Sequence, residues 1–186
     1  MQKMDSTKLS SSVTIRQYRE FRDNQNRDEI ANLIYERFYE RYIEPFNNNP
    51  AKHGFSMMAS GCLMTEALYC YKKGRKQTGE AGGTAFDNFF SESVSLKDFH
   101  GYGKAFYKNV RCGILHQGET YDGWKILRKG ALFEQSEKTI NATKYLSSLE
   151  KELKCFAELL KNEPFKSNVW KCVIKKLDHV CENCNA

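Results

Sequence analysis

Apolar side chains return every three or four residues through several stretches of this chain, the period of helices with one face turned inward. The first clear stretch is RDEIANLIYERFYERYIEPF, where Ile30, Ile34 and Phe38 recur at four-residue spacing and Leu33 and Tyr42 widen the stripe. Glu36, Arg37, Glu40 and Arg41 occupy the opposite, solvated side. Asn26 is placed to cap this helix, Glu29 sits at the reciprocal capping position, and Pro45 fits its end. The loop NNNPAKHG follows, and a second helix then runs from Phe55 or Ser56 to about Lys73. Met57, Met58, Cys62, Met64, Leu68 and Tyr71 make that helix apolar nearly all round. Such a helix lies at the centre of a bundle or beneath a second subunit. Glu66 breaks the pattern. If buried, its carboxylate needs a partner, for which Arg111 is a candidate; if not, it faces water.

QTGEAGG interrupts the chain, and TAFDNFFSES predicts a short helix carrying Phe86, Phe89 and Phe90. Helix resumes near Gly103 or Lys104, with Phe106, Val110 and Ile114 in one row, Tyr107, Arg111 and Leu115 in the next, and Gly118 at its stop. The period then changes. WKIL and ALF, on either side of RKG, predict a small hairpin, or else an irregular cap packed through Trp124 and Phe133. Beyond it, Asn141 caps a long helix faced by Tyr145, Leu149, Leu153, Phe156 and Leu160, joined by Leu146 and Leu159. Glu150 and Lys154 on this helix are spaced for a surface ion pair. Pro164 separates it from a last helix with Val169, Trp170, Val173, Ile174 and Leu177. VTIRQYREF (Val13–Phe21) reads either as a short strand or as a helix start. The fold class is therefore all-α: a helical bundle with a small β-hairpin between late helices. Residues 1–25 form a lead-in, 26–180 a single domain and 181–186 a tail. With 186 residues, 40% of them hydrophobic, one sizeable core is the natural arrangement. The first dozen residues and the last few read as loose ends.

Charge adds one suggestion. The 29 Lys and Arg against 23 Asp and Glu leave a formal +6, which suits a polyanionic partner without requiring one. The bias is clearest in YKKGRK (Tyr71–Lys76), either a basic surface turn or a contact for phosphate backbone. No apolar run reaches the length of a membrane helix, and the first residues lack the apolar centre of a signal peptide, so a cytoplasmic location with no membrane partner is expected. The seven cysteines cannot close a disulfide framework completely. Cys172, His179, Cys181 and Cys184 offer soft ligands, but HVCENC holds one CxxC without a second, and free thiols fit better than zinc. No P-loop, HExxH or nucleophile-elbow pattern occurs, and neither metal nor cofactor is expected.

The chemistry concentrates in NVRCGILHQGET. Arg111 and His116 lie five positions apart, roughly 140 degrees around an ideal helix after one full turn, so they stand on adjoining flanks. A helix ending near His116 leaves its ring free to turn toward Arg111. Together they suit RNA cleavage. Histidine titrates near neutrality and can take the proton of a ribose 2′-hydroxyl, while arginine binds phosphate bidentately and stabilises charge developing there. DNA lacks that hydroxyl. The other reading is a structural or non-catalytic dimer interface. Lys108, Glu119 and Tyr121 lie close enough in sequence to touch the same cleft, though solvation and helix termination also account for them. Trp124 either stacks on a base or packs the hairpin.

RCGILH resembles the Arg-x4–6-His motif of the HEPN domain superfamily, and the wider stretch YKNVRCGILHQGETYDGWKI with KTINATKYL looks like a branch of those domains. The resemblance covers Arg27–Leu177, although its specific motif is short. It implies a helical bundle and a homodimer in which Arg111 and His116 of two subunits meet in one cleft. It also implies metal-independent endoribonuclease chemistry, with Glu66, Lys108, Glu119 and Tyr121 supporting the site or the RNA. Toxin–antitoxin or phage-defence settings, with an antitoxin or other regulatory protein as partner, belong to the same implication. One position departs from the pattern. Active members often carry a polar Asn, Asp or His after the arginine; here it is Cys112, which points instead to a non-catalytic RNA-binding or protein-assembly module.

Overall fold

In the computed structural model, residues 5–47, 51, 53–79 and 82–184 are described. Half of the NNNPAKHG loop and part of QTGEAGG lie outside them. VTIRQYREF resolves as helix: α1 spans Ile15–Asp23, and Thr14 caps it in a reciprocal box with Gln17. Leu9, Val13, Ile15 and Tyr18 are buried, so the lead-in contributes to the core rather than hanging loose from it. α2 (Arg27–Phe38) starts where expected, the Asn26 side chain accepting the Glu29 N–H. It passes into a π-helical turn, Tyr39–Ile43, and a 3-10 turn, Glu44–Phe46, that holds Pro45.

α3 (Gly54–Lys73) is central in the bundle, the first of the two places its all-round apolar pattern allows. It packs against α4 (Gly82–Glu92), α7 (Ala142–Asn162) and α8 (Asn168–Asn183), while α2 also lies on α7. Between α4 and α7 the chain forms α5 (Gly103–Phe106), a second π-helical turn (Tyr107–Arg111) and α6 (Cys112–Gln117). The aromatic core joins these pieces. Phe86, Phe90, Phe99, Phe106 and Tyr145 meet ring to ring at centroid distances of 5.1–6.4 Å. Edge-to-face and offset pairs of this kind add modestly to the burial of the rings themselves. Along α7 the predicted face is buried, except that Leu159 turns to solvent. The Glu150–Lys154 ion pair forms at 2.6 Å.

The β element differs from the expected hairpin. β1 (Lys125–Leu127) and β2 (Phe133–Glu134) do not pair with each other. A third strand, β3 (Thr139–Asn141), lies between them, parallel to β1 and antiparallel to β2. The reason is burial: Ile140 is fully inside and takes the central position, whereas Lys125 and Leu127 are exposed. Trp124 and Phe133 stack at 5.3 Å beneath this small sheet, so Trp124 is a packing residue rather than an open platform for a base. Among the described residues no helix is long and apolar enough to cross a membrane.

Candidate active site

The last two turns of the α5–α6 helix place the charged residues. Val110 and Ile114 point into the core, and the turn at Tyr107–Arg111 is widened, with the Cys112 N–H donating to the Tyr107 carbonyl five residues back. Such π turns put an extra residue into the helix and recur at functional sites. The helix stops at Gly118, in the left-handed region at φ 73°. Immediately afterwards the chain folds back across it. The Tyr121 N–H donates to the Asn109 carbonyl at 2.9 Å, and the Glu119 carbonyl oxygen lies over Gly113. A Cβ on Gly113 would stand 2.3 Å from that oxygen, so glycine is what permits the return.

Arg111 and Glu66 do meet. Arg111 Nε donates to Glu66 Oε1, and Nη2 donates to Glu66 Oε2 at 3.3 Å, a two-point pairing between α6's leading edge and the centre of α3. The two side chains are only 18% and 15% exposed. Burial alone would weaken the Arg111 cation, but the hydrogen bond and charge of Glu66 outweigh it and shift the guanidinium pKa upward. Arg111 therefore remains charged. On its other side, Nη1 lies 3.5 Å from His116 Nε2. A guanidinium can only donate, so this contact needs an imidazole with its lone pair on Nε2 and its proton on Nδ1. That tautomer is the one able to accept a proton at the atom facing Arg111. The ring itself is exposed.

Two neighbours complete the group. The Arg111 guanidinium sits over the Tyr107 ring, 5.3 Å from its centroid. Tyr107 is four residues earlier, on the same flank, and this spacing is its signal in the sequence. Its phenol pKa is pushed up by burial and by Cys112, with Arg111 opposing. Thr78 donates to Glu66 Oε2 at 3.3 Å, and nothing in the sequence marks it. The other expected residues are less engaged. Lys108, Glu119 and Tyr121 are exposed; Lys108 acts on Asp122 only through its charge, and Glu119 enters through its backbone rather than its carboxylate.

The basic run Tyr71–Lys76 is partly neutralised. Lys73 pairs with Glu92 at 2.7 Å, and Lys72 lies between Phe89 and Phe156 with Glu152 at 3.7 Å. Among the described residues no group of three or more His, Cys, Asp or Glu side chains is arranged to hold a metal ion. No protein-family model, curated protein or solved structure matches this chain.

Proposed function

We propose that this chain is an endoribonuclease of the HEPN type that cleaves RNA by attack of the ribose 2′-hydroxyl on the adjacent phosphate. The observation that carries the reading is the Glu66–Arg111–His116 chain of contacts, ending in an exposed imidazole. Glu66 occupies two edges of the guanidinium and holds it still. One hydrogen on Nη1 and the second on Nη2 are left for a phosphate oxygen, and the Nη1–Nε2 contact must part for Nε2 to act as a base. His116 Nε2 takes the 2′-hydroxyl proton as the O2′–P bond forms. The P–O5′ bond breaks, leaving a 2′,3′-cyclic phosphate and a 5′-oxygen that must regain a proton. Arg111 stabilises the extra charge on phosphorus. A second copy of the chain would supply the second imidazole for that last proton. Leu63, 44% exposed and one helical turn from Glu66, is an apolar side chain that such a copy would cover.

The test is a labelled single-stranded RNA incubated with the protein in the presence of a chelator. The expected result is fragments ending in 2′,3′-cyclic phosphate, reduced at least about a hundredfold in His116→Ala. Equal cleavage by wild type and variant would remove His116 from the chemistry. The second reading is a non-catalytic RNA-binding or assembly module, favoured by the capture of Arg111 by Glu66 and by Cys112 in the helper position. It predicts retained RNA affinity without turnover, or no RNA affinity if the partner is a protein.

A further inference from the structure

A second cationic cluster lies apart from Arg111 and shares none of its residues. The end of α2, the π turn after it, the C-terminal half of α3 and α8 enclose a cleft of about 140 Å³, lined by Arg37, Arg41, Tyr42, Tyr71, Lys176 and Val180 among others. That is well below the roughly 300 Å³ at which pockets for drug-sized molecules begin, and suits a small ion. Three cations face it, and none has a carboxylate within ion-pair distance among the described residues. Arg37 and Arg41 both donate to the Leu9 carbonyl, and Lys176 Nζ donates to the Lys76 carbonyl at 2.6 Å. The nearby acids have other hydrogen-bond partners, although the Glu40 charge still reaches Arg41. Glu36 accepts from the Ser10, Ser11 and Ser12 hydroxyls, and both Glu40 oxygens accept from the Ser11 N–H at 3.0–3.2 Å.

The second observation is independent of charge. Tyr71 is 3% exposed, and its buried hydroxyl has no hydrogen-bond partner among the described residues. An orphaned buried hydroxyl costs free energy and calls for an explanation. The positive charges of Arg37 and Arg41 reach this phenol and oppose the upward push of burial on its pKa. The same crowding works on the cations: burial and Arg37 together lower the pKa values of Arg41 and Lys176. Like charges gathered around an unused donor are relieved by one anion.

We propose that this cleft binds a phosphoryl oxyanion, held by the guanidinium groups of Arg37 and Arg41, the Lys176 ammonium and the Tyr71 hydroxyl. Phosphate fits better than a carboxylate because three cations and a hydroxyl surround it, matching several oxygens and a double charge. The ion is either free phosphate or the terminal phosphoryl group of a nucleotide.

Thermal unfolding of the full chain tests this, with sodium phosphate or adenosine 5′-monophosphate titrated at constant ionic strength. Chloride and acetate serve as controls. Phosphate is expected to raise Tm saturably, and the controls are not. Tyr71→Phe gives the sharper arm. Without phosphate the variant should match or exceed wild type, since an unpaired hydroxyl is gone; with phosphate its apparent affinity should fall about tenfold. Arg41→Gln should weaken the response similarly, and His116→Ala should leave it intact, which separates this site from the one on α6. Nucleotide binding tighter than phosphate assigns the ion to a larger molecule, and tighter phosphate binding assigns it to the free ion. Equal stabilisation by acetate or chloride, or an unchanged phosphate response in Tyr71→Phe, overturns the proposal.

Discussion

Glu66 carries the sharpest consequence for a single residue. It stands among apolar neighbours on α3, and its carboxylate is matched edge to edge with Arg111. Glu66→Gln keeps the shape and removes the charge, leaving a largely enclosed guanidinium without its counter-ion. The expected loss is about 1–3 kcal/mol, read as a lower urea midpoint at unchanged slope. Glu66→Leu with Arg111→Met should recover much of that loss, because neither charge then needs solvation. If Glu66→Gln unfolds at the wild-type midpoint, the pair holds nothing. Much of this group was legible residue by residue: Arg111 and His116 by their chemistry, Glu66 by its misfit on an apolar helix. Thr78 was not, because a threonine in a loop has many uses and only its distance to Glu66 selects one.

Asn141 shows how one residue can decide two elements. It ends β3 and caps α7: its side-chain oxygen accepts the Lys144 N–H at 3.1 Å and its amide donates to the Gly130 carbonyl at 3.1 Å. Its own N–H donates to the Leu132 carbonyl at 3.0 Å. Asn141→Ala should cost about 1–2 kcal/mol, the range for a lost cap, with the bond to the Gly130 carbonyl lost as well. Asn141→Asp keeps the cap but sets a carboxylate against the Gly130 carbonyl, and should fall between the two in thermal unfolding. The cap was readable from Asn141 preceding a periodic helix. The strand before it was not. Three residues are too short to show a period, and β1 finds its partner only after the intervening chain has turned back. The two π-helical turns escaped for a related reason: they shift the helical row without changing which residues are apolar.

At the scale of the molecule, the proposed activity needs a second copy, and the exposed Leu63 near Glu66 is the position at which to test for one. Leu63→Asp alters an exposed side chain and should leave the helical circular dichroism and Tm close to wild type. In sedimentation equilibrium the wild type should behave as a dimer and the variant as a monomer. A wild type that remains monomeric at all concentrations tested would take the second imidazole out of the mechanism. The formal charge of +6 is distributed less simply than its sum suggests. YKKGRK looks like the basic patch in the sequence, yet its Lys72 and Lys73 are paired with acids, whereas Arg37, Arg41 and Lys176 share one cleft with no carboxylate within ion-pair distance among the described residues.

Local periodicity by itself determined that the chain is helical and where most helices begin and end; it offered a central α3 and a Trp124–Phe133 packing contact, each as one of two readings. These follow because apolar spacing, caps and stop signals act within one or two turns of chain. Only the tertiary structure decided that Glu66 reaches Arg111, that β3 rather than a hairpin organises the small sheet, and that the buried Tyr71 hydroxyl lies near cations with no hydrogen-bond partner among the described residues. Each of these joins residues that are far apart in sequence. Such contacts depend on how helices and strands stack, and no short window of sequence contains that information.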